Sequence, residues 1–229
     1  MNSLTSADKA GYSFSGLSGS ALKVIALVSM LADHSAYYLL EHGTSLYEAM
    51  RCFGRVAFPV FAFLIAEGFA HTRNRLRYFL TLFGFAVVSE VPWFLLNGAD
   101  GTHNVMFTLA LGVGALAIFD KYHQRKFVCF CMITLIAIFA TCLGTDYEWR
   151  GILLIVICYM MREHRPLLLL FVLPLMIYYG MVGDIMAAIV LSLYDRTRGF
   201  IQGSTAKYGF YAFYPAHLFL LGYFSLPIY

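Results

Sequence analysis

Two histidines and a lysine stand at spacings suited to moving a proton beside a bound anion. Lys23 and His34 are eleven positions apart in one apolar run. On a helix they return to within about 20° of the same face, about 16 Å apart along the axis. That arrangement sets a cationic anchor near one membrane surface and a titratable imidazole near mid-membrane. An unperturbed imidazole titrates close to neutral pH, which suits it to take a proton from an amine or hydroxyl. Asp33 neighbours His34, so on a regular helix it points about 100° away and does not hold that ring as a dyad by default. It reads either as a reactive group or as a polar contact between helices. His217 lies ten positions after Lys207, about 15 Å deep by helical rise, a depth like that of His34. The two rings meet if the first and last helices pack together.

Other polar residues fall inside apolar runs, where ionisable groups are costly and need partners. Glu67 and Glu90 are candidate partners for Arg55 or Lys23. Asn104 and Thr108 share a helix face and read as hydrogen bonds between helices or as site residues. Tyr214, just before the helix-loosening Pro215, joins them. Asp146, Tyr147 and Gly151 mark a turn into a helix, where capping is the simplest role. Arg198 sits in a basic loop, where it either contacts phosphate or sets topology.

The elements that carry these residues are membrane helices. Hydrophobic residues make up 60% of the 229 and charged residues 13%, against about a quarter charged in soluble domains. This excludes a disordered chain, a disulfide mini-protein and a soluble nucleic-acid binder. Five cysteines, mostly within apolar runs, make no disulfide framework, and no metal site is expected. Apolar runs fall near 21–40, 56–70, 78–96, 105–119, 127–143, 152–161, 167–179, 185–194 and 209–226. They predict an all-α, polytopic bundle of about nine transmembrane helices, since barrel strands would alternate instead. With the N-terminus inside, Lys and Arg split 13 against 3 in favour of the cytoplasmic positions, as the positive-inside rule asks. Residues 1–20 then form a short polar cytoplasmic N-terminus and 21–229 one transmembrane domain. The expected geometry is a positively lined shaft, open to the cell interior, with His34 at its bottom.

Several blocks resemble the TraX family of membrane proteins associated with conjugative pili. They are LKVIALVSMLADH (22–34), GRVAFPVFAFLIAEGF (54–69), NVMFTLALG (104–112), DYEWRG (146–151), YDRTRG (194–199) and FYAFYPAHL (210–218). The family is similar to acyltransferases whose first helix carries Arg, ten intervening residues and His. Here Lys23 takes the place of that Arg, and Lys lacks its planar bidentate contact. The resemblance implies a multi-pass protein of a bacterial inner membrane. It implies transfer of an acetyl group from cytoplasmic acetyl-CoA to a pilin N-terminus or a cell-surface glycan. His34 is the leading catalytic candidate, with Asp33 and His217 beside it. Lys23, Arg55, Glu67, Asn104, Thr108, Arg198 and Tyr214 are candidate binding residues. A donor such as Tyr214 or Asn104 would steady the oxyanion at the thioester carbonyl. A small transporter and a non-catalytic scaffold are the competing readings.

Overall fold

A computed structural model describes residues 16–225, so the N-terminal stretch up to residue 15, with Lys9, lies outside the described residues. Those residues fold as helices with no strand among them; β pairing is confined to the isolated bridges Leu17–Tyr194 and His103–Thr145. The helices are α1 (Gly19–Leu39), α2 (Ser45–Gly54), α3 (Ala57–His71), α4 (Arg75–Asn97), α5 (Val105–Tyr122), α6 (Lys126–Cys142), α7 (Glu148–Met161), α8 (Arg165–Ser192) and α9 (Ser204–Ser225). Side chains start several of them by accepting the first free amides: Ser18 caps α1, Thr44 caps α2, Asn74 caps α4 and Asn104 caps α5, as helix N-termini require.

Among the described residues four stretches are long and apolar enough to cross a membrane: Ser45–His71, Arg75–Asn97, Val105–Tyr122 and Val172–Ser192. Two of these are broken. Ser45–His71 comprises α2 and α3, separated by a turn at Arg55 and Val56. The short α2 corresponds to no apolar run in the sequence. It packs against α1, where the Ser29 hydroxyl donates to the Phe53 and Gly54 carbonyls at 2.7 and 3.2 Å. A side chain at Gly54 would overlap Asp33, its Cβ 2.3 Å from Oδ1. Glycine is what permits that approach.

The second break is in α8, at Gly180, whose φ of 147° and ψ of 103° are not helical. A straight helix of that length would separate its ends by about 42 Å. Yet Arg196, past one end, pairs with Glu163, before the other, at 2.8 Å. The helix therefore folds back on itself. The runs near 167–179 and 185–194 are its two arms, and the tip packs on Arg55, whose Cγ lies 3.3 Å from a Cβ built at Gly180. The expected runs and the observed elements thus do not correspond one to one.

The bundle has two distinguishable ends. At the first, the start of α1 is stitched to the loop after α8: Gly19 N–H donates to Thr197 at 2.7 Å, the Ser20 hydroxyl to the Arg198 carbonyl at 2.9 Å, and Ile201 N–H to the Ser20 hydroxyl at 2.7 Å. Arg75 and Asp120 pair at this end too. At the second, Tyr38 near the end of α1 donates to Asn97 near the end of α4 at 3.0 Å. There His103 N–H also donates to the Gly144 carbonyl at 2.9 Å.

Candidate active site

His34 and His217 meet between α1 and α9. His34 Nδ1 lies 2.7 Å from His217 Nε2, with the rings stacked 5.0 Å apart at 10°. His217 is buried and its Nδ1 is 3.0 Å from the Phe213 carbonyl. A carbonyl only accepts, so that nitrogen carries the proton and His217 Nε2 carries a lone pair. His34 must then donate from Nδ1, which leaves His34 Nε2 as the bare, basic nitrogen. The matched depths of the two rings thus correspond to a direct contact that fixes a tautomer.

His34 lines a cavity of about 510 Å³. Its deep wall includes Met30, Asp33, Arg55 and Phe61, and its rim includes Asp100, Thr102, Glu148 and Arg150. The rim residues belong to the second end of the bundle. The expected shaft is therefore corrected: the cavity beside His34 opens away from Lys23, because α1 carries Lys23 and His34 to opposite sides of Met30. Lys23 lines a separate, narrower cavity of about 90 Å³, with apolar walls and a mouth flanked by Lys207 and Ile201. Met30, Phe61 and Val105 border both cavities, and Tyr214 borders the narrow one.

Asp33 turns away from His34, as its place on the helix requires. It pairs with Arg51 at 2.7 Å, and Arg51 lies over the Tyr37 ring at 5.0 Å. Arg55 lines the wide cavity against Tyr147, whose ring stacks on Phe58 at 3.6 Å. Glu67 pairs with neither Arg55 nor Lys23. It faces His71 at 4.0 Å and the Tyr194 hydroxyl at 3.4 Å, because it lies near the C-terminal end of α3, far along the helix from the turn that carries Arg55. Glu90 likewise pairs elsewhere, with His103 at 2.5 Å and Asn104 at 2.6 Å. Asn104 also caps α5 and donates to the Ala86 carbonyl at 2.9 Å. Its polar atoms are engaged, so it has none to offer an oxyanion. The Thr108 hydroxyl donates to the Asp146 carbonyl. Arg198 lies close enough to Lys23 for their charges to repel.

Arg51 and Tyr147 are site residues the sequence reading did not single out for binding. The one available signal was the four-residue spacing of Arg51 and Arg55 on a short amphipathic helix. Tyr147 and Glu148 hold left-handed backbone, φ 64° and 45°, conformations that side chains other than glycine seldom adopt. Asp146, in the turn before α7, lines the cavity. Burial pushes its carboxyl up to about 7, against the pull of Arg55. The folded protein thus keeps a proton on Asp146, between about pH 4 and pH 7, that the unfolded chain has released. The stability linked to this group is full below that window and is lost as pH rises through it. The unfolding midpoint of the detergent-solubilised protein should fall from about pH 5 to about pH 8, and Asp146→Asn should flatten that fall. An equal slope in both proteins would refute the assignment.

A bundle of apolar, broken helices enclosing a polar cavity and a coupled pair of imidazoles defines a helical membrane protein with a buried polar site. Residues 18–225 match the family described as TraX protein, and the chain belongs to that family. It is 31% identical over 233 residues to a probable fimbrial assembly protein FimC, serogroup H1, of Dichelobacter nodosus, covering 87% of this chain and 92% of that one. No solved structure matches the chain.

Proposed function

We propose that the protein transfers an acetyl group from acetyl-CoA to an amine or hydroxyl acceptor across the membrane. The observation that carries this reading is the pair of unlike cavities that share Met30, Phe61 and Val105 in their walls, with His34 on the wide one. The narrow cavity suits a slender chain that ends in a thioester. Lys23 and Lys207 flank it, and Arg198 lies close by. Among the described residues no carboxylate ion pair is recorded for these three. They are available to the phosphates of CoA. The wide cavity suits an acceptor arriving from the other end.

In this scheme the N-terminus is cytoplasmic, so the basic mouth faces the donor pool and the rim at Asp100 and Arg150 faces outward, in a bacterial inner membrane. His34 Nε2 takes the proton as the acceptor nitrogen or oxygen attacks the thioester carbon. The C–S bond breaks, and the departing thiolate of CoA takes that proton from His34, which returns the ring to its neutral form. The FimC relative is named for fimbrial assembly, which favours a fimbrial subunit as one acceptor, with a surface glycan as the other.

Titration of the purified full chain with acetyl-CoA tests the reading. A saturable rise in unfolding temperature is expected, since a ligand held only by the folded state stabilises it by about 2.7 kcal/mol at a hundred times its Kd. CoA thiol release is expected when a peptide with a free N-terminal amine or a glycan is added. No thermal shift at millimolar acetyl-CoA would sink it. A second reading, a small transporter, draws on the broken helices at Arg55 and Gly180, a feature of substrate paths. Uptake into proteoliposomes without thiol release would favour it.

A further inference from the structure

We infer that the Tyr214 hydroxyl and the Val105 backbone N–H together form the carbonyl-binding site that polarises the thioester. This rests on the acetyl-transfer reading above and assigns groups within it. Tyr214 is 4% exposed, and its hydroxyl is a buried polar atom without a hydrogen-bond partner among the described residues. A buried O–H left unsatisfied costs about 1–3 kcal/mol, so its persistence calls for a ligand. The hydroxyl lies against the Val105 amide.

That amide is the first of α5, an eighteen-residue helix. Of the neighbouring amides, Met106 N–H is taken by the Asn104 side chain and Phe107 N–H by the Asn104 carbonyl. The Val105 N–H faces the Tyr214 oxygen. The positive end of the helix dipole adds to it. Two independent features, a buried phenol whose own proton finds no acceptor among the described residues and a helix N-terminus that faces its oxygen, converge on one point.

The point is well placed. Val105 borders both cavities, Tyr214 borders the narrow one, and the Tyr214 ring lies 6.3 Å from the His34 ring at 65°. A thioester oxygen that accepts from the phenol would expose its carbon toward His34. As the acceptor adds, the carbonyl π electrons move onto that oxygen, and the phenol proton, with the amide behind it, stabilises the charge. When the C–S bond breaks the phenol releases a neutral carbonyl. Donors fixed beforehand act without reorganising at the moment of reaction.

Infrared difference spectra of [1-13C]acetyl-CoA bound to the full chain test this without an identified acceptor. The wild type should shift the carbonyl band to lower frequency than in water. Tyr214→Phe should lose most of that shift and lower kcat by about 10²-fold with little change in KM, as loss of one such donor does. Val105→Pro is the second variant. It deletes the amide proton at a helix position that accepts proline, and should lose the remainder of the shift. Saturable acetyl-CoA binding with an unshifted band in the wild type, or the same band in all three proteins, would overturn the inference and leave acetyl transfer standing. Absence of acetyl-CoA binding to the wild type would overturn both.

Discussion

If the protein transfers acetyl groups as proposed, His34→Ala is expected to lower kcat for acetyl-CoA-dependent thiol release by about 10²–10⁴-fold, the usual contribution of a positioned general base. Acetyl-CoA binding should persist, because the ring borders the wide cavity while Lys23 and Lys207 flank the narrow one. The same geometry predicts a graded series at His217. His217 Nε2 accepts from His34 Nδ1 at 2.7 Å, and Phe213 holds His217 in the tautomer that can accept. Without an acceptor there, His34 is free to move its proton to Nε2 and lose its base. His217→Leu should therefore cost about 10²-fold in kcat, in the way that freeing a catalytic histidine's tautomer disables it. His217→Gln presents a side-chain oxygen to the same N–H and should recover much of that loss. A purely structural role for His217 predicts no such recovery, and wild-type turnover in His34→Ala would remove the ring from the chemistry.

The parts of this site that were legible in the sequence are those a single helix fixes. Helical rise set His34 and His217 at one depth, and the residue-to-residue turn put Asp33 on another face from His34. Both are visible in the contact at 2.7 Å and in the pairing of Asp33 with Arg51. What depended on how helices break was not legible. Arg55 reads as the edge of an apolar run, yet it occupies the turn between α2 and α3. α2 lies outside every apolar run; it is amphipathic, capped by Thr44, and held by Ser29 and Asp33 of another helix. The partners of Glu67 and Glu90 followed the same limit, since pairing within a bundle is set by the relative shift of two helices rather than by either one. The direction in which the cavity opens was lost for a related reason. Lys23 and His34 do share a face of α1, but Met30, Phe61 and Val105 stand between them as lining common to two separate cavities.

Asp33→Ala is expected to lower stability by about 2–3 kcal/mol, somewhat less than the 3–5 typical of a broken buried ion pair. The carboxylate and the Arg51 guanidinium are 14% and 18% exposed, so water in the cavity screens part of the loss. Tyr37 and Tyr47, 5.0 and 6.0 Å from the same guanidinium, retain a fraction of the attraction through their ring faces. Two things fail together in the variant. Arg51 is left without its anion, which is also the charged tie between α1 and α2, and the room that Gly54 leaves for Asp33 becomes a void. Replacing the pair by apolar side chains of similar volume removes the unpaired charge as well, so Asp33→Leu with Arg51→Met should recover most of the loss. Thermal unfolding in detergent measures both steps. The same variants distinguish support from chemistry. If Asp33 only ties α2 in place, the double variant regains turnover along with its unfolding temperature. If Asp33 handles a proton in the reaction, or Arg51 holds the acceptor, stability returns and turnover does not, and Arg51→Met alone separates the two.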